Sequence, residues 1–343
     1  MERFEHGGDT YALPGVLDFS ASVNPLGLPR EAVEAQRTHA EDFSAYPDPH
    51  CRDLRAALAS FEGVAERWVL PCAGATDAIW RLCAVFRPMR ALVCAPCYAG
   101  YEEALAQVGT QVTYHHLHKD EGFAAGPDLA DAIVEGIDLV FLANPNNPTG
   151  LCLDRSVLVS CLDRAREVGA VVVLDECFVE LAGRRGSADL LLGNPHLVIV
   201  KALTKTYALA GLRVGYALCA DESLLERMRR AGQPWAVSTP AQVAGVACLR
   251  DGDYLQRSLR LIGEERASLR VALAALGLDV VPGVANYLLF EGPEGLREEL
   301  LERGVLVRTC ENFVGLGPRW YRVAVRTHDE NERLLAALEE AMR

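Results

Sequence analysis

The sequence predicts an α/β protein with a mostly parallel sheet in a large lobe and a second, smaller lobe. Short apolar runs are separated by amphipathic, helix-like stretches. The runs lie at 90–96, 138–145, 169–176, 196–203 and 213–220. They are continuously rich in Val, Leu and Ile instead of alternating, which is typical of strands covered on both faces. Strands that alternate with helices in this way predict an α/β architecture.

The pattern changes after about residue 250. A long charged helix is predicted at roughly 252–276, followed by "DVVPGVANYLLFEG" and two further helix-like stretches. This predicts a small α+β lobe over residues 250–343, beside a large lobe over residues 41–249. Residues 1–40 are rich in Gly and Pro and look loop-like, so we expect an arm that belongs with the small lobe.

Composition narrows the class of partner. The 343 residues are 50% hydrophobic and 24% charged, as in soluble globular proteins, and the formal net charge is −13. An acidic chain is a poor partner for nucleic acid or an anionic membrane. The first residues, "MERFEHGGDT", lack an apolar signal region, and the apolar runs are too short to span a bilayer. We therefore expect a cytoplasmic protein that acts on a small molecule.

Cysteine and histidine spacings do not predict a metal site. The eleven cysteines are scattered, and the single C-x-x-C, Cys94 to Cys97, has no second pair at zinc-site spacing. We expect reduced core thiols. His115, His116 and His118 cluster in "TYHHLH", but no carboxylate or cysteine accompanies them at ligand spacing, so an exposed strand face is the better interpretation.

Polar residues follow several of the predicted strands. Tyr98 follows the first run, Asn147 lies in "NPNNPTG" and Asp175 ends "VVVLD". Because the carboxyl ends of parallel strands form a ligand crevice, we expect these side chains to converge. "GAT" at 74–76 precedes a helix, where free N–H groups suit a phosphate. Taken singly, each has an ordinary structural explanation, such as a helix cap or a core aromatic; their joint order favours a site.

Two lysines, Lys201 and Lys205, follow the run at 196–203, and Arg213 comes eight residues after the second. This stretch is either an exposed polar loop or a pocket that holds an amine to form a Schiff base. We prefer Lys205 over Lys201 as that amine because the Gly-Leu-Arg segment follows it at the spacing described next.

The motif order resembles the fold-type I pyridoxal-phosphate enzymes of the aspartate aminotransferase superfamily. "NPNNPTG", "LDE", "LTKTYALAGLRVGY" and "ANYLL" are similar to the histidinol-phosphate aminotransferase branch. "HGGD", "LDFSASVNPLGLP", "YPDPHCRDLRAAL", "QPWAVS" and "VRTCENFVGLGPRWYRVAVRT" are similar to the threonine-phosphate decarboxylases of cobalamin biosynthesis. The resemblance covers nearly the whole chain. It implies a large domain with a mostly parallel seven-stranded sheet that binds pyridoxal 5'-phosphate, a small α+β domain, and a homodimer.

The resemblance also implies roles around the cofactor ring. Lys205 would hold the cofactor aldehyde and move protons as a general base or acid. Asp175 would pair with the pyridinium nitrogen, Tyr98 would stack on the ring, and Asn147 would contact the ring oxygen and the substrate.

The cofactor phosphate has its own implied contacts. The amides of Ala75 and Thr76 would bind it together with Thr204 and Arg213, the latter by a charge-assisted pair. Tyr46 of "YPD" corresponds to a tyrosine that reaches the cofactor phosphate of the neighbouring subunit.

The implied substrate contacts are basic and polar. Arg322 would grip the α-carboxylate, while Arg308 and His6 would bind a substrate phosphate. Asn24 would make a polar contact near the carboxylate. Arg326, four residues after Arg322 on a predicted strand, is a weaker candidate.

Two positions depart from the aminotransferase pattern. Phe178 stands where aminotransferases usually carry a tyrosine, and Ala202 where many relatives have Ser or Thr on the cofactor phosphate. Phenylalanine at this position is shared with the threonine-phosphate decarboxylases.

The implied activity is decarboxylation of L-threonine O-3-phosphate to (R)-1-amino-2-propanol O-2-phosphate. A histidinol-phosphate or related aminotransferase, a serine-phosphate decarboxylase and a non-catalytic binding module are the alternatives.

Overall fold

The computed structural model describes residues 6–343. Its strands are β1 (Leu17–Asp18), β2 (Val69–Cys72), β3 (Arg90–Ala95), β4 (Gln111–His116), β5 (Leu139–Ala143), β6 (Val171–Asp175), β7 (Leu197–Ala202), β8 (Gly215–Cys219), β9 (Asp279–Val280), β10 (Tyr287–Glu291), β11 (Val305–Leu306), β12 (Arg308–Thr309) and β13 (Trp320–Ala324). Its helices are α1 (Arg30–Thr38), α2 (Arg52–Glu62), α3 (Ala75–Phe86), α4 (Gly100–Gln107), α5 (Asp128–Asp131), α6 (Arg155–Val168), α7 (Leu203–Thr206), α8 (Glu222–Ala231), α9 (Thr239–Arg250), α10 (Gly252–Ala275), α11 (Leu296–Glu302) and α12 (His328–Ala341).

Seven strands form the central sheet in the order β2-β8-β7-β6-β5-β3-β4. The run from β7 to β4 is parallel throughout, and β8 is antiparallel to both of its neighbours, β7 and β2. This confirms the predicted mostly parallel seven-stranded sheet.

Alternate residues of the inner strands enter two separate cores. On β6, Val172 and Leu174 belong to one apolar cluster, while Val171 and Val173 belong to another. Both faces of the strand are therefore buried, which explains the unbroken apolar run. Each such side chain contributes about 1.5–3 kcal/mol through removal from water.

The five apolar runs correspond to β3, β5, β6, β7 and β8, whereas the remaining two strands of the sheet, β2 and β4, lie at its edges. An edge strand needs less apolar surface: β4 is partly exposed along its whole length. β2 is buried but only four residues long and contains Pro71. These two strands consequently carry the weakest sequence signals.

The C-terminal part forms a second sheet of order β12-β13-β10-β9, in which every pairing is antiparallel. The long predicted helix is present as α10. The N-terminal segment is attached to this part of the chain through β1, which pairs in parallel with β11. The arm is not entirely loop-like, however, because α1 occupies Arg30–Thr38; Ala32 alone of its nine residues is fully buried. Within residues 6–343, no helix combines the length and apolarity needed to cross a membrane.

Candidate active site

A cavity of about 230 Å³ lies at the carboxyl ends of the central parallel strands. Of the thirteen site residues predicted from the sequence, eleven line it. They are His6, Ala75, Thr76, Tyr98, Asn147, Asp175, Thr204, Lys205, Arg213, Arg308 and Arg322. The convergence follows from the topology, because parallel strands bring their following loops to one edge of the sheet.

Lys205 lies in α7, the single helical turn that follows β7. Burial lowers the pKa of its amine to about 8, and the nearby positive charges of Arg322 and Arg213 act in the same direction. A substantial fraction of the amine is therefore neutral near pH 8. Only the neutral form carries a lone pair, so the environment favours an amine that reacts as a nucleophile.

Asp175, at the end of β6, has a donor on each carboxylate oxygen. The Tyr101 hydroxyl donates to Oδ2 at 2.6 Å, and the Cys177 backbone N–H donates to Oδ1 at 2.9 Å. These bonds fix the carboxylate at the cavity wall. Tyr101 was not predicted as a site residue; its signal was its position three residues after Tyr98, which places both on one side of a helical turn.

The amino end of α3 faces the cavity through Ala75 and Thr76. Gly74 precedes it with φ of +90°, and a Cβ added there would lie 2.7 Å from Nη2 of Arg213. The guanidinium group of Arg213 is thus packed directly against the start of the helix. Free N–H groups, the helix dipole and a guanidinium together form a site for a phosphate.

Aromatic residues border the cavity. A Cβ at Gly100 would lie 2.3 Å from Cε1 of Tyr98, so only glycine leaves room for that ring. Burial raises the pKa of the Tyr98 hydroxyl, which keeps it neutral. Phe178 packs edge-to-face against Tyr287, with the ring centroids 4.9 Å apart.

Two buried arginines face each other on neighbouring strands. Arg308 of β12 is directly opposite Arg322 of β13 in the antiparallel register. Arg322 donates from Nη1 to Oδ1 of Asn147 and from Nη2 to the Ser20 carbonyl oxygen at 2.9 Å. Arg308 donates from Nη2 to Oδ1 of Asn312 at 2.8 Å. Both arginine side chains line the cavity.

His6 lies at the edge of the cavity, with its Nε2 atom 3.4 Å from Oε1 of Glu103. Its ring lies 5.9 Å from that of Tyr98, measured between centroids. An imidazole in this place can reach an anion held by Arg308, which lines the same cavity.

Two predicted site residues do not line the cavity. Asn24 is buried, and its amide nitrogen donates to the Thr206 carbonyl oxygen and to the Ser258 hydroxyl; its predicted contact with the substrate stays a prediction. Tyr46 is 79% exposed and stacks on Trp235, with centroids 4.5 Å apart.

The weaker candidate Arg326 also has structural partners. It donates to the Asp18 carbonyl oxygen at 3.0 Å and to the Glu330 carboxylate at 2.6 Å, and it does not line the cavity.

Lys201, the alternative amine, is buried away from the cavity. Its Nζ atom lies 2.6 Å from a carboxylate oxygen of Glu62 and 2.6 Å from one of Glu180. These carboxylates raise its pKa, so its amine stays protonated. The chain has one further lysine, Lys119, which lies on the surface between Asp279 and Glu291.

The cysteines and histidines that were considered as possible metal ligands lie in the core, on β4 or just after it. Cys94 and Cys97 are buried, and the rings of His116 and His118 lie 6.3 Å apart between centroids. Within residues 6–343, no group of three or more His, Cys, Asp or Glu side chains is arranged to hold a metal ion.

Comparison with known proteins gives a consistent family. The sequence model of the family described as aminotransferase class I and II matches residues 14–338. A threonine-phosphate decarboxylase of Salmonella typhimurium is 37% identical over 332 residues, which cover 95% of this chain and 91% of that protein.

Two solved structures are similar over almost their whole length. Histidinol-phosphate aminotransferase of Clostridium acetobutylicum matches with a TM-score of 0.90, and the match covers 95% of this chain and 99% of that enzyme. L-threonine-O-3-phosphate decarboxylase of Porphyromonas gingivalis has a TM-score of 0.83, with 94% and 98% coverage. Each is 26% identical to this chain, so the fold comparison does not separate the two activities. The chain belongs to the aminotransferase class I and II family of pyridoxal-phosphate-dependent enzymes.

Proposed function

We propose that the protein decarboxylates L-threonine O-3-phosphate to (R)-1-amino-2-propanol O-2-phosphate, a step of cobalamin biosynthesis. The observation that carries this proposal is the pair of buried arginines, Arg308 and Arg322, that face each other across β12 and β13 at the cavity. An amino-acid phosphate carries two anionic groups, and a protein of net charge −13 needs concentrated local positive charge to hold them. The relative from Salmonella supports the same substrate.

The residues present fit pyridoxal phosphate. We propose that the amino end of α3, Thr204 and Arg213 hold its phosphate, because they form a concave cationic site at one end of the cavity. Asp175 would face the pyridine nitrogen with a carboxylate held by two donors. Tyr98 would cover one ring face, and Lys205 would carry the aldehyde carbon.

Bound in this way, pyridoxal phosphate supplies an electron sink for the pair left by a broken bond at the substrate α-carbon. The chain's own residues bind and orient the substrate and transfer the proton. Arg322 binds and orients the α-carboxylate, while Arg308 and His6 hold the substrate phosphate. The carboxylate leaves as CO2, and its bonding pair remains at the α-carbon. Lys205 takes up a proton from the substrate ammonium group and then delivers it from Nζ to that carbon, so that hydrogen replaces the carboxylate.

An aminotransferase acting on histidinol phosphate is the second candidate, because a solved enzyme of that name shares the fold. Both reactions need the same cofactor and an arginine that binds the substrate phosphate. They differ in which bond at the α-carbon is held perpendicular to the ring, and Arg322 would set that orientation.

The decisive experiment is incubation of the loaded enzyme with L-threonine O-3-phosphate in the absence of any keto acid, with measurement of CO2. We expect stoichiometric CO2 and an amino-propanol phosphate product. L-serine O-phosphate, which lacks one methyl group, is the comparison substrate. One methyl group changes the specificity for a substrate by only about 1–3 kcal/mol, so its rate of CO2 release shows which of the two substrates the enzyme prefers. If CO2 does not form, and histidinol phosphate is converted once a keto acid is added, the aminotransferase is the correct assignment.

The lowered pKa of Lys205 predicts how cofactor attachment depends on pH. Only the neutral amine attacks the aldehyde, so the attachment rate of the cofactor-free protein should rise through pH about 8, well below the range of an ordinary lysine. Stopped-flow absorbance at several pH values measures this rate. A rate that keeps rising to the range of an exposed lysine would show that the amine is not desolvated.

We also propose a cytoplasmic homodimer. Tyr46 and Trp235 form an exposed aromatic stack that does not line the cavity of their own chain. A second subunit that covered this stack would bring Tyr46 to its own cavity. Light scattering should therefore give twice the chain mass of 37.3 kDa at micromolar concentration. A fully active monomer would contradict the proposal.

A further inference from the structure

The turn that carries Lys205 is held from behind by Asn24, which approaches it from the N-terminal segment. The Asn24 backbone N–H donates to the Lys205 carbonyl oxygen at 3.1 Å, and its side-chain amide donates to the Thr206 carbonyl oxygen at 2.8 Å. Both acceptors belong to α7, a helix of only four residues whose last carbonyls have few partners within the helix. Asn24 thus replaces the hydrogen bonds that a longer helix would supply.

The Asn24 side chain is itself fully committed. Its second amide hydrogen is donated to Oγ of Ser258 at 2.7 Å, and its Oδ1 atom accepts from the Leu26 backbone N–H at 3.0 Å. The Ser258 hydroxyl donates in turn to the Tyr254 carbonyl oxygen at 2.8 Å, so it acts as an acceptor for Asn24. Asn24 and Ser258 are both buried. A buried amide with both donors in use has one orientation available, and this orientation fixes α7.

A second contact holds the opposite side of the same turn. The Thr206 hydroxyl donates to the Glu180 carboxylate at 3.3 Å, and Glu180 is held in place by the buried Lys201 amine at 2.6 Å. The residue after Lys205 is therefore bound through its carbonyl on one side and its hydroxyl on the other. Lys201, four residues before Lys205, has a structural part in this arrangement.

We propose that Asn24 is a positioning residue that sets where the Lys205 amine lies in the cavity. It does not line the cavity, and it acts through the backbone of α7. The inference rests on the proposed role of Lys205. Loss of Asn24 would let the turn relax, so the amine would occupy a less desolvated and less uniform position. Its reactivity would then approach that of an exposed lysine.

The test compares Asn24→Ala with Ser258→Ala in the full chain freed of cofactor. Ser258→Ala removes a buried partner of Asn24 but leaves both contacts to α7, so it is the matched control for lost stability. Acetic anhydride is the probe, and mass spectrometry gives the ratio of acetylation at Lys205 to that at exposed Lys119 over a range of pH. Thermal unfolding of each variant is measured in parallel.

We expect Asn24→Ala to move the midpoint of the Lys205 profile to higher pH and to change the acetylation ratio at pH 8 by about fivefold or more, the effect of one buried hydrogen bond. Ser258→Ala should lower the unfolding temperature without moving that midpoint. Asn24→Ser keeps a small polar side chain but lacks the amide nitrogen that donates to the Thr206 carbonyl oxygen; it serves as a second variant if Asn24→Ala does not fold, with a midpoint shift in the same direction.

Equal profiles in the wild type and Asn24→Ala, or equal shifts in Asn24→Ala and Ser258→Ala, would overturn the proposal. If Asn24→Ala does not fold, an unchanged Asn24→Ser profile would overturn it instead. The proposed function is tested separately by adding pyridoxal phosphate and borohydride and mapping the label. A wild-type protein that carries no label on Lys205 contradicts the function, whereas the acetylation profiles decide the role of Asn24 in either case.

Discussion

Replacement of Lys205 by alanine is expected to lower turnover by more than about 10³-fold, because one side chain both holds the cofactor and transfers the proton. The fold should persist: within residues 6–343 the amine makes no hydrogen bond or ion pair that holds the structure, and removing a desolvated amine does not leave a buried charge unpaired. Borohydride reduction of the loaded wild type, followed by peptide mapping, should place the label on Lys205.

Lys201 provides the matched control for that experiment. It is buried, whereas Lys205 is only partly so, and its amine is bound by Glu62 and Glu180 and stays protonated. Lys201→Met should therefore reduce stability, since it leaves buried carboxylates without their partner, and still allow label on Lys205. Label on Lys201 in the wild type would show that the assignment of the reactive amine is wrong.

Replacement of Arg308 by alanine should lower kcat/KM for the phosphorylated substrate by about ten- to a hundredfold, because a hydrogen bond to a charged group is worth about 1.5–3 kcal/mol. The absorbance spectrum of the bound cofactor should not change, since Arg213 and the amino end of α3 lie elsewhere in the cavity. Initial rates with L-threonine O-3-phosphate and with free L-threonine measure the effect on each substrate.

Arg297 is a suitable control for Arg308. Both line a second cleft, which shares His6 and Arg308 with the cavity. Arg297, however, is partly exposed and paired with Glu298. Arg297→Ala should change kcat/KM by less than about fivefold, as expected for loss of a surface ion pair. Unchanged turnover in Arg308→Ala, or equal use of free threonine by the wild type, would contradict the proposed reading of a substrate phosphate.

Many of the residues that line the cavity could be predicted from the sequence, because the parallel topology of the sheet brings them together. Residues after β3, β5, β6 and β7 meet at one edge once the strands are known to be parallel, which places Tyr98, Asn147, Asp175 and Lys205 together. The opposition of Arg308 and Arg322 depends on the antiparallel register of two strands, which spacing along the chain does not specify.

Contacts between residues far apart in the sequence could not be predicted. The family resemblance implies a substrate contact for Asn24, but the sequence does not show that its donors meet the carbonyl oxygen of Thr206 and the hydroxyl of Ser258. Tyr101 is absent from the predicted site because a tyrosine on an amphipathic helix is typical of a core, and its hydrogen bond to Asp175 joins residues 74 positions apart.

The scarcity of lysine has a practical consequence for handling the protein. Of the three side-chain amines, Lys201 is buried and charged and Lys119 is held on the surface between two carboxylates. Lysine-directed cross-linkers and amine-coupled surfaces therefore have a single exposed lysine side chain to use, besides the α-amino group of the chain. Dyes for general surface labelling need carboxylate or arginine chemistry instead.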